Sequence, residues 1–405
     1  MSLEIDNISL SSEEKLIVEQ NLSADVAKLA LQLKPKPNVR PEVILRQVDG
    51  YQHMKTKCPT WAENPSIVFP RKISLEQCSS QATAEYKAAL CMGESLVDLT
   101  GGMGVDFSFM SRNFTKATYV EMNEELCAIS THNFKALGLD NVNTISTTAE
   151  EYLNSMDGRV SCIMIDPARR DGVGRKTVKI SDCTPDLTLI CDSLLEKADK
   201  VIVKLSPMLD ISEAITTLKG VSEIHILSVN GECKELLLIL TPTSSLPLSL
   251  LPIHTVNLLK DGQRESLTFT PNEEKSAFSR FAITPRMYLY EPNASILKAG
   301  AFRTVSTRYE ELYKLHVNTH LYTSDEIIPD FPGRKFEVCS WSTLTQGDLQ
   351  ILLRNIKKAN LSVRNFPMTV EKLRAKLKIQ EGGDVYLFAV TLSDGKKVIL
   401  RCKKI

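Results

Sequence analysis

Several patterns that reveal a protein's chemistry at first sight are missing from this sequence. Its ten cysteines form no CxxC and no CxxH pair, which argues against a zinc ribbon, a zinc finger and a thioredoxin-like redox motif. Lone cysteines in apolar runs, at Cys91, Cys162 and Cys191, predict reduced core residues in a cytoplasm. The six histidines form no metal-spaced pair with supporting ligands; His316 and His320 could lie on one helix face, but no other ligand accompanies them. We therefore expect no metal.

Long apolar runs are also missing. None approaches the ~18 residues that a membrane span needs, and Met1 to Asn7 contains no apolar signal segment. These absences predict a cytoplasmic protein without membrane association. The formal net charge is zero, which neither indicates nor excludes a nucleic-acid partner.

The charge is unevenly placed along the chain. The segment from Ile351 to Ile405 carries 13 Lys or Arg against 4 Asp or Glu, a local net charge of +9. A basic terminal module is typical of a surface that binds nucleic acid. The alternative is a lysine-rich face that only contacts water.

The most informative run is SLVDLTGGMGVDF, residues 95–107. An apolar strand ends at Leu99, a glycine-rich turn follows, and a helix is predicted from about Val105. Glycine tolerates positive φ and lets a ligand approach the backbone closely, and helix N-terminal amides face whatever lies there. The pattern predicts a nucleotide-like site in an α/β fold.

Strands and helices alternate from this turn to Thr241. Five strand segments, each followed by a helix, predict a doubly wound, Rossmann-like parallel sheet with helices on both faces. Two further strands flank Asn230-Gly231, a hairpin turn, so the sheet ends with an antiparallel strand.

The two ends of the chain differ from this α/β pattern. The first ~75 residues are predicted to be helical, with apolar positions at helical spacing. The C-terminal region is α+β, with hairpins across Asp261-Gly262 and Asp394-Gly395 and single elements over Thr307–Leu315 and Gln346–Ala359. We predict four domains: a helical N-terminal module at 1–75, the sheet domain at 76–242, a small ferredoxin-like α+β domain at 243–325 and a further α+β domain at 326–405.

The glycine turn does not fit a dinucleotide site. A GxGxxG motif needs its third glycine for helix–strand packing, and Phe107 occupies that position. S-adenosylmethionine (SAM) fits better, because four rim elements then have a role at the carboxyl ends of the strands. Asp98 and the turn open the site, Glu121 is placed for the ribose hydroxyls, Thr148 for the adenine amino group, and Asp166 for the reacting centre.

The chain thus resembles the class I SAM-dependent methyltransferases. The matching residues are Asp98 to Gly104, Glu121, Asp166-Pro167 and the hairpin across Asn230-Gly231. More narrowly, the motif Asp166 to Arg170 with Lys204 to Pro207 and the C-terminal α+β region resembles a bacterial family whose members carry a THUMP-like module. Because related THUMP modules bind structured RNA, the resemblance implies an RNA methyltransferase acting on tRNA or rRNA.

The site residues follow from this resemblance. The predicted cofactor-binding residues are Asp98, Thr100, Gly101, Gly102, Gly104, Glu121, Met122, Thr148 and Ala149. The predicted catalytic residues are Asp166, Pro167 and Arg169. Relatives that methylate amino groups carry a second proline and an aromatic residue where this chain has Ala168 and Arg169, and many carry an aspartate in place of Thr148. An arginine plane can stack on a base or hold a phosphate.

The predicted substrate-binding residues are Arg170, Arg175, Lys176 and Lys204. The first three belong to a basic, glycine-containing loop that would hold a phosphate backbone or would only contact water. Lys204 would bind substrate or form an ion pair with Asp166 or Asp171. No cysteine lies between Asp166 and Asp171, which disfavours carbon-5 pyrimidine chemistry. Two alternatives stay open: a methyltransferase acting on a protein or small molecule, and a non-catalytic SAM-binding protein that binds RNA.

Overall fold

A computed structural model describes residues 10–34, 36–37, 39–169 and 179–405, apart from the Arg169 side chain. The chain forms two units. The first unit runs to Ser222 and includes Leu236–Ser245, and the second comprises Glu223–Glu235 and Leu246–Ile405. The chain therefore leaves the first unit, returns to it for one strand, and leaves it again.

Helices up to Thr217 precede or alternate with the strands of the first unit. They are α1 (Ser12–Gln20), α2 (Val26–Gln32), α3 (Pro41–Lys57), α4 (Pro59–Ala62), α5 (Lys72–Gln77), α6 (Gln81–Ala89), α7 (Val105–Met110), α8 (Glu124–Ala136), α9 (Ala149–Ser155), α10 (Leu187–Lys197) and α11 (Ile211–Thr217). The strands up to Leu240 are β1 (Gly93–Asp98), β2 (Phe114–Glu121), β3 (Val142–Ser146), β4 (Val160–Ile165), β5 (Ala168–Arg169), β6 (Cys183–Thr184), β7 (Ala198–Leu205), β8 (Val221–Val229) and β9 (Glu232–Leu240).

The remaining elements are short helices and strands of two to ten residues. The helices are α12 (Pro271–Ser276), α13 (Ala294–Ala299), α14 (Phe302–Arg308), α15 (Gln346–Leu352) and α16 (Val370–Leu377). The strands are β10 (Ile253–Leu258), β11 (Arg264–Phe269), β12 (Tyr288–Pro292), β13 (Tyr313–Lys314), β14 (Tyr322–Ser324), β15 (Gly333–Ser342), β16 (Asn360–Arg364), β17 (Val385–Thr391) and β18 (Lys397–Lys404).

The sheet of the first unit confirms the predicted Rossmann-like architecture. Its strands lie in the order β3-β2-β1-β4-β7-β9. All neighbours pair in parallel except β9, which pairs antiparallel with β7. The order reverses between β1 and β4, and in such sheets ligands bind beyond the strand ends at this switch point.

The N-terminal helices pack onto the glycine turn. Trp61 is fully buried in a cluster with Met103 and Val105, and its indole Nε1 donates to Ser108 Oγ at 3.2 Å. A second contact joins α1 to the start of α3: the buried Glu14 accepts hydrogen bonds from the Arg40 guanidinium. These bonds hold the pKa of the Glu14 carboxyl at about 2.

The second unit confirms both predicted hairpins. Strands β10 and β11 pair antiparallel across Asp261-Gly262, and β17 pairs antiparallel with β18 across Asp394-Gly395. Strands β8 and β10 pair in parallel, and a sheet in the order β13-β14-β12-β15-β18-β17-β16 contains the C-terminal strands.

Two sequence predictions in this unit are wrong. The single element over Thr307–Leu315 is divided, because α14 ends at Arg308 and β13 begins at Tyr313. The helix from Gln346 ends at Leu352, well before Ala359. Asn355 then adopts a left-handed conformation, with φ of 66°, in which a right-handed helix cannot continue.

Candidate active site

The glycine turn rests on an aromatic cluster. The rings of Phe107, Tyr119 and Phe134 lie 5.1 to 5.6 Å apart, centroid to centroid. A Cβ on Gly101 would lie 2.0 Å from Tyr119 Cε2, and one on Gly104 would lie 2.6 Å from Phe134 Cζ. These two glycines are therefore required by the packing beneath the turn.

Gly102 differs from its two neighbours. Its φ is +55°, and the nearest atom to a Cβ built on it would be Thr100 O at 3.9 Å. Its backbone therefore borders open space in the direction in which a side chain would project. This is the feature that a glycine turn needs if a ligand is to lie against it.

Glu121 is placed against this turn. The residue is 9% exposed, its Oε2 accepts a hydrogen bond from the Gly102 amide at 2.8 Å, and its Oε1 accepts one from the Asn123 amide at 2.8 Å. The next residue, Met122, is 68% exposed. A fixed carboxylate beside an uncovered apolar side chain suits a ribose joined to a purine.

Asp98 is the buried acid at the end of β1. Its Oδ1 accepts a hydrogen bond from the Thr100 amide at 3.0 Å. Burial raises the pKa of the Asp98 carboxyl to about 8, and the neighbouring Asp106 and Asp166 carboxylates act in the same direction.

Thr148 and Ala149 begin α9 beyond the end of β3. The Thr148 hydroxyl caps this helix by accepting from the Glu151 amide at 3.2 Å, and Ala149 is buried. A capping hydroxyl keeps its own proton for donation. The contact with adenine that the sequence suggests stays a prediction.

Thr100 joins the turn to the loop after β4. Its hydroxyl accepts a hydrogen bond from the Asp166 amide at 2.6 Å. Asp166 has a side chain 41% exposed, and Pro167 after it is buried. The two segments that the sequence assigns to cofactor and acceptor are therefore in direct contact.

Lys204, at the end of β7, holds the Asp166 carboxylate. Its Nζ lies 2.6 Å from Asp166 Oδ2 and 3.4 Å from Asp106 Oδ2. The ion pair with Asp166 that the sequence left as an alternative is therefore present. Lys204 also contacts a second acid that the sequence did not suggest.

Asp106 is the centre of a buried polar group. It lies 3.1 Å from Nζ of Lys87, whose side chain is fully buried, and it accepts from Ser79 Oγ at 2.7 Å. Burial favours the neutral acid, but Lys87 and Lys204 outweigh it and hold the pKa of the Asp106 carboxyl below its usual value. The one sequence signal for this group is Lys87, a charged residue within the alanine-rich α6.

The remaining predicted residues are described only in part. The Arg169 backbone pairs with Cys183 between β5 and β6, and the position of its side chain is not among the described features. Arg170, Arg175 and Lys176 lie outside the described residues. Cys162 is buried in β4, at 1% exposure, which confirms its prediction as a core residue.

Comparison with other proteins gives two domain matches. Residues 288–332 match a family described as a ferredoxin-like domain, and residues 333–404 match one described as THUMP domain-like. No curated protein matches the sequence. Within the described residues, no helix is long and apolar enough to cross a membrane.

Among solved structures, a candidate methyltransferase from Porphyromonas gingivalis W83 is similar over the whole length. It is 33% identical, with a TM-score of 0.85, and the match covers 98% of this chain and 99% of that one. An rRNA methylase from Streptococcus thermophilus matches 39% of this chain and 94% of its own, at 15% identity and a TM-score of 0.31. M. capricolum TrmK in complex with S-adenosyl-homocysteine matches 41% of this chain and 71% of its own, at 11% identity and a TM-score of 0.32.

Proposed function

Because the chain belongs to the bacterial family of class I SAM-dependent methyltransferases with a C-terminal THUMP-like domain, we propose that it transfers a methyl group from SAM to a base in structured RNA. The observation that carries this proposal is the hydrogen bond from the Asp166 amide to the Thr100 hydroxyl. This hydrogen bond holds the loop after β4, which we assign to the methyl acceptor, against the glycine turn, which we assign to the cofactor. Direct methyl transfer requires the two bound molecules to lie next to each other.

The residues around the turn fit the cofactor. The proposed binding set is Asp98, Thr100, Gly101, Gly102, Gly104, Glu121, Met122, Thr148 and Ala149. Gly102 leaves space, Glu121 offers fixed carboxylate oxygens for ribose hydroxyls, and Met122 offers an apolar surface for adenine. When bound, SAM supplies a methyl group already activated on a sulfonium.

Asp166 is the proposed acceptor-side residue. A carboxylate held by Lys204 can accept a hydrogen bond from a base amino group and fix its direction. Pro167 and Arg169 would shape the rest of that loop, and Arg170, Arg175 and Lys176 are the proposed contacts to substrate. Lys204 would act through Asp166, since its ammonium already lies on that carboxylate.

The second unit supplies the support for RNA as substrate. Residues 333–404 match a THUMP-like family, and ten of the 13 Lys and Arg residues after Gln350 are exposed. When exposed Lys and Arg side chains neutralise phosphates, the counterions bound to the nucleic acid are released. This release gives an affinity that does not depend on the base sequence. We also propose the four domains at 1–75, 76–242, 243–325 and 326–405, and a cytoplasmic location.

The test is transfer of tritiated methyl groups from SAM. An extract of cells that lack the protein is incubated with the wild type or with Asp166→Ala, its RNA, protein and metabolite fractions are separated, and the labelled nucleoside is mapped. We expect label in one RNA species with the wild type and at least about 100-fold less with the variant. Label in protein or metabolite fractions alone would contradict an RNA substrate. SAM binding without any transfer would identify a non-catalytic RNA-binding protein.

A further inference from the structure

A second group of chemically active side chains lies in the second unit, on one face of the strands β8, β10 and β11. His225 on β8 is paired with His254 on β10, and His254 is paired with Thr268 on β11. Paired residues of neighbouring strands project from the same face of a sheet. Glu223 precedes His225 by two positions, so it projects from that face as well.

Three ligand atoms of this row converge. Glu223 Oε2 lies 3.2 Å from His225 Nε2 and 3.7 Å from His254 Nε2. Both Nε2 atoms therefore lie near the same carboxylate oxygen, and the two imidazole rings stack with centroids 4.5 Å apart and planes inclined by 18°.

These separations match those around a transition-metal ion. Zinc bonds to histidine nitrogen and carboxylate oxygen are about 2.0 to 2.2 Å long, so tetrahedral ligand atoms lie roughly 3.3 to 3.5 Å apart. The measured distances of 3.2 and 3.7 Å lie close to this range. The third separation, between the two Nε2 atoms, is within 4.8 Å. Because an imidazole coordinates in its own ring plane, the two nearly parallel rings must turn toward each other to share one ion.

His254 has the outer contact that metal-bound histidines usually have. Its Nδ1 lies 3.0 Å from Thr268 Oγ1. A proton on Nδ1 that is donated to this hydroxyl leaves the Nε2 lone pair directed at Glu223, the tautomer that a metal requires. The orientation of the ring is therefore fixed independently of Glu223.

The three residues differ in their contact with solvent. His225 is buried, whereas the side chains of His254 and Glu223 are 28% and 46% exposed. We propose that Glu223, His225 and His254 bind one divalent transition-metal ion of the zinc type, with its remaining positions open to water or another ligand. Two imidazoles and one carboxylate suit such borderline cations better than Mg²⁺ or Ca²⁺. The proposal does not depend on the proposed methyl transfer.

The sequence did not suggest this site because its two histidines belong to separate strands. Metal motifs are recognised by close spacing along the chain, whereas His225 and His254 become neighbours only when β8 and β10 pair. The expectation of no metal rested on that spacing alone.

The test is zinc binding by the full-length protein after removal of metals with a chelator. Zn²⁺ is titrated in competition with a chromophoric chelator, on the wild type and on Glu223→Gln, His254→Gln and Thr268→Val. We expect one zinc per chain, an affinity at least 10-fold lower in the two ligand variants, and a loss of roughly 10-fold for Thr268→Val. His132→Gln, on a histidine of the first unit that contacts the Ser66 carbonyl, is the matched control and should bind as the wild type does.

Co²⁺ provides a second readout that does not depend on affinity. The wild type loaded with Co²⁺ should show visible bands without thiolate charge-transfer bands, and Glu223→Gln should lose the visible bands. Zinc should also raise the melting temperature of the wild type and leave that of Glu223→Gln unchanged. The proposal is overturned if the wild type binds no zinc, if both ligand variants bind as tightly as the wild type, or if thiolate bands reveal cysteine ligands.

Discussion

Nζ of Lys204 lies 2.6 Å from Oδ2 of Asp166, so the carboxylate at the end of β4 is held by a cation from β7. The same ammonium is 3.4 Å from Asp106, which in turn binds the buried Lys87. The direction of the Asp166 side chain therefore depends on residues of α6 and α7 that do not reach the acceptor loop themselves.

Replacing Lys204 should lower the rate of methyl transfer more than it lowers cofactor affinity. Lys204→Met removes the cation that orients Asp166, and misplacement of a reacting group by about 1 Å can reduce a rate by roughly 100-fold. We expect kcat to fall 10- to 100-fold, as an order of magnitude, with a nearly unchanged dissociation constant for SAM in calorimetry. Lys204→Arg should recover part of the loss. Lys200→Met is the control, since Lys200 lies on the same strand but donates to the Leu90 carbonyl; an equal loss there would contradict the prediction.

The pair Lys87–Asp106 should contribute strongly to stability. Lys87→Met leaves a buried carboxylate with one cation fewer, and breaking a buried pair typically costs about 3 to 5 kcal/mol. The measurement is the free energy of unfolding in urea. Lys219→Met is matched to it, because the pair Lys219–Asp192 has a similar distance of 2.8 Å but exposures of 71% and 67%. That variant should lose much less stability than Lys87→Met, because water screens an exposed ion pair. Equal losses in the two variants would show that burial of the pair does not matter.

Three glycine-to-alanine changes should separate packing from ligand space. Gly101→Ala places a methyl group 2.0 Å from Tyr119 Cε2 and should destabilise the fold by roughly 2 kcal/mol or more. Gly102→Ala has open space but a φ of +55°, so it should cost only about 1 kcal/mol while it weakens SAM binding at least 10-fold. Gly138→Ala has a φ of +68° with nothing within 4 Å and should show the same strain with normal SAM binding. Thermal unfolding measures the change in stability, and calorimetry measures the affinity for SAM. Normal SAM binding by Gly102→Ala would contradict the proposal that SAM lies against the glycine turn.

The glycine turn after β1 could be predicted from the sequence because the residues that indicate it lie close together along the chain. Asp98, the glycines and Glu121 each follow directly from a strand and its end. The role of Asp106 could not be predicted in this way. Its partners Lys87 and Ser79 precede the turn in the chain, and only the packing of α6 against α7 brings them to Asp106. The broken segment at Thr307–Leu315 was unpredictable for another reason. Its apolar residues suit a helix as well as a strand, and the structure uses both.

Asp98→Asn should stabilise the protein at alkaline pH and weaken cofactor binding. A carboxyl with a pKa of about 8 in the folded chain and about 4 in the unfolded chain binds its proton more tightly when folded. Its contribution to stability is fully present below pH ~4 and is lost as the pH rises to 8. Burial is the main cause of this raised pKa; the Asp106 and Asp166 carboxylates raise the pKa further, and Lys204 lowers it.

The amide variant does not titrate, so its stability relative to the wild type should increase by at least about 1.4 kcal/mol between pH 5 and pH 8. Urea unfolding at both pH values measures this difference, and Asp140→Asn, at an exposed position, controls for general charge effects. A constant difference between pH 5 and pH 8 would contradict the raised pKa. Unchanged SAM affinity would remove Asp98 from the binding set.

Charge reversal on α16 should weaken RNA binding in a salt-dependent manner. Lys372 and Lys376 are exposed one turn apart, while Leu373 and Leu377 face the core. Lys372→Glu with Lys376→Glu should lower RNA affinity at low salt and reduce the slope of log K against log salt by about 1 to 2. Filter binding over a salt series measures both. Lys116→Glu with Lys135→Glu makes the same charge change on exposed residues of the first unit and should have a smaller effect; equal losses would indicate a general effect of net charge.

The path of the chain between its two units sets the order in which the protein is completed during translation. When residues up to Ser222 have emerged from the ribosome, every parallel strand of the first unit's sheet has been made. The segment Leu236–Leu240, which pairs with β7, has not. Until that segment emerges, the backbone of Val201–Leu205 is an open edge that another chain can pair with. A fragment that ends before Leu236 should therefore aggregate, and the shortest fragment able to complete this sheet must extend to about Leu240.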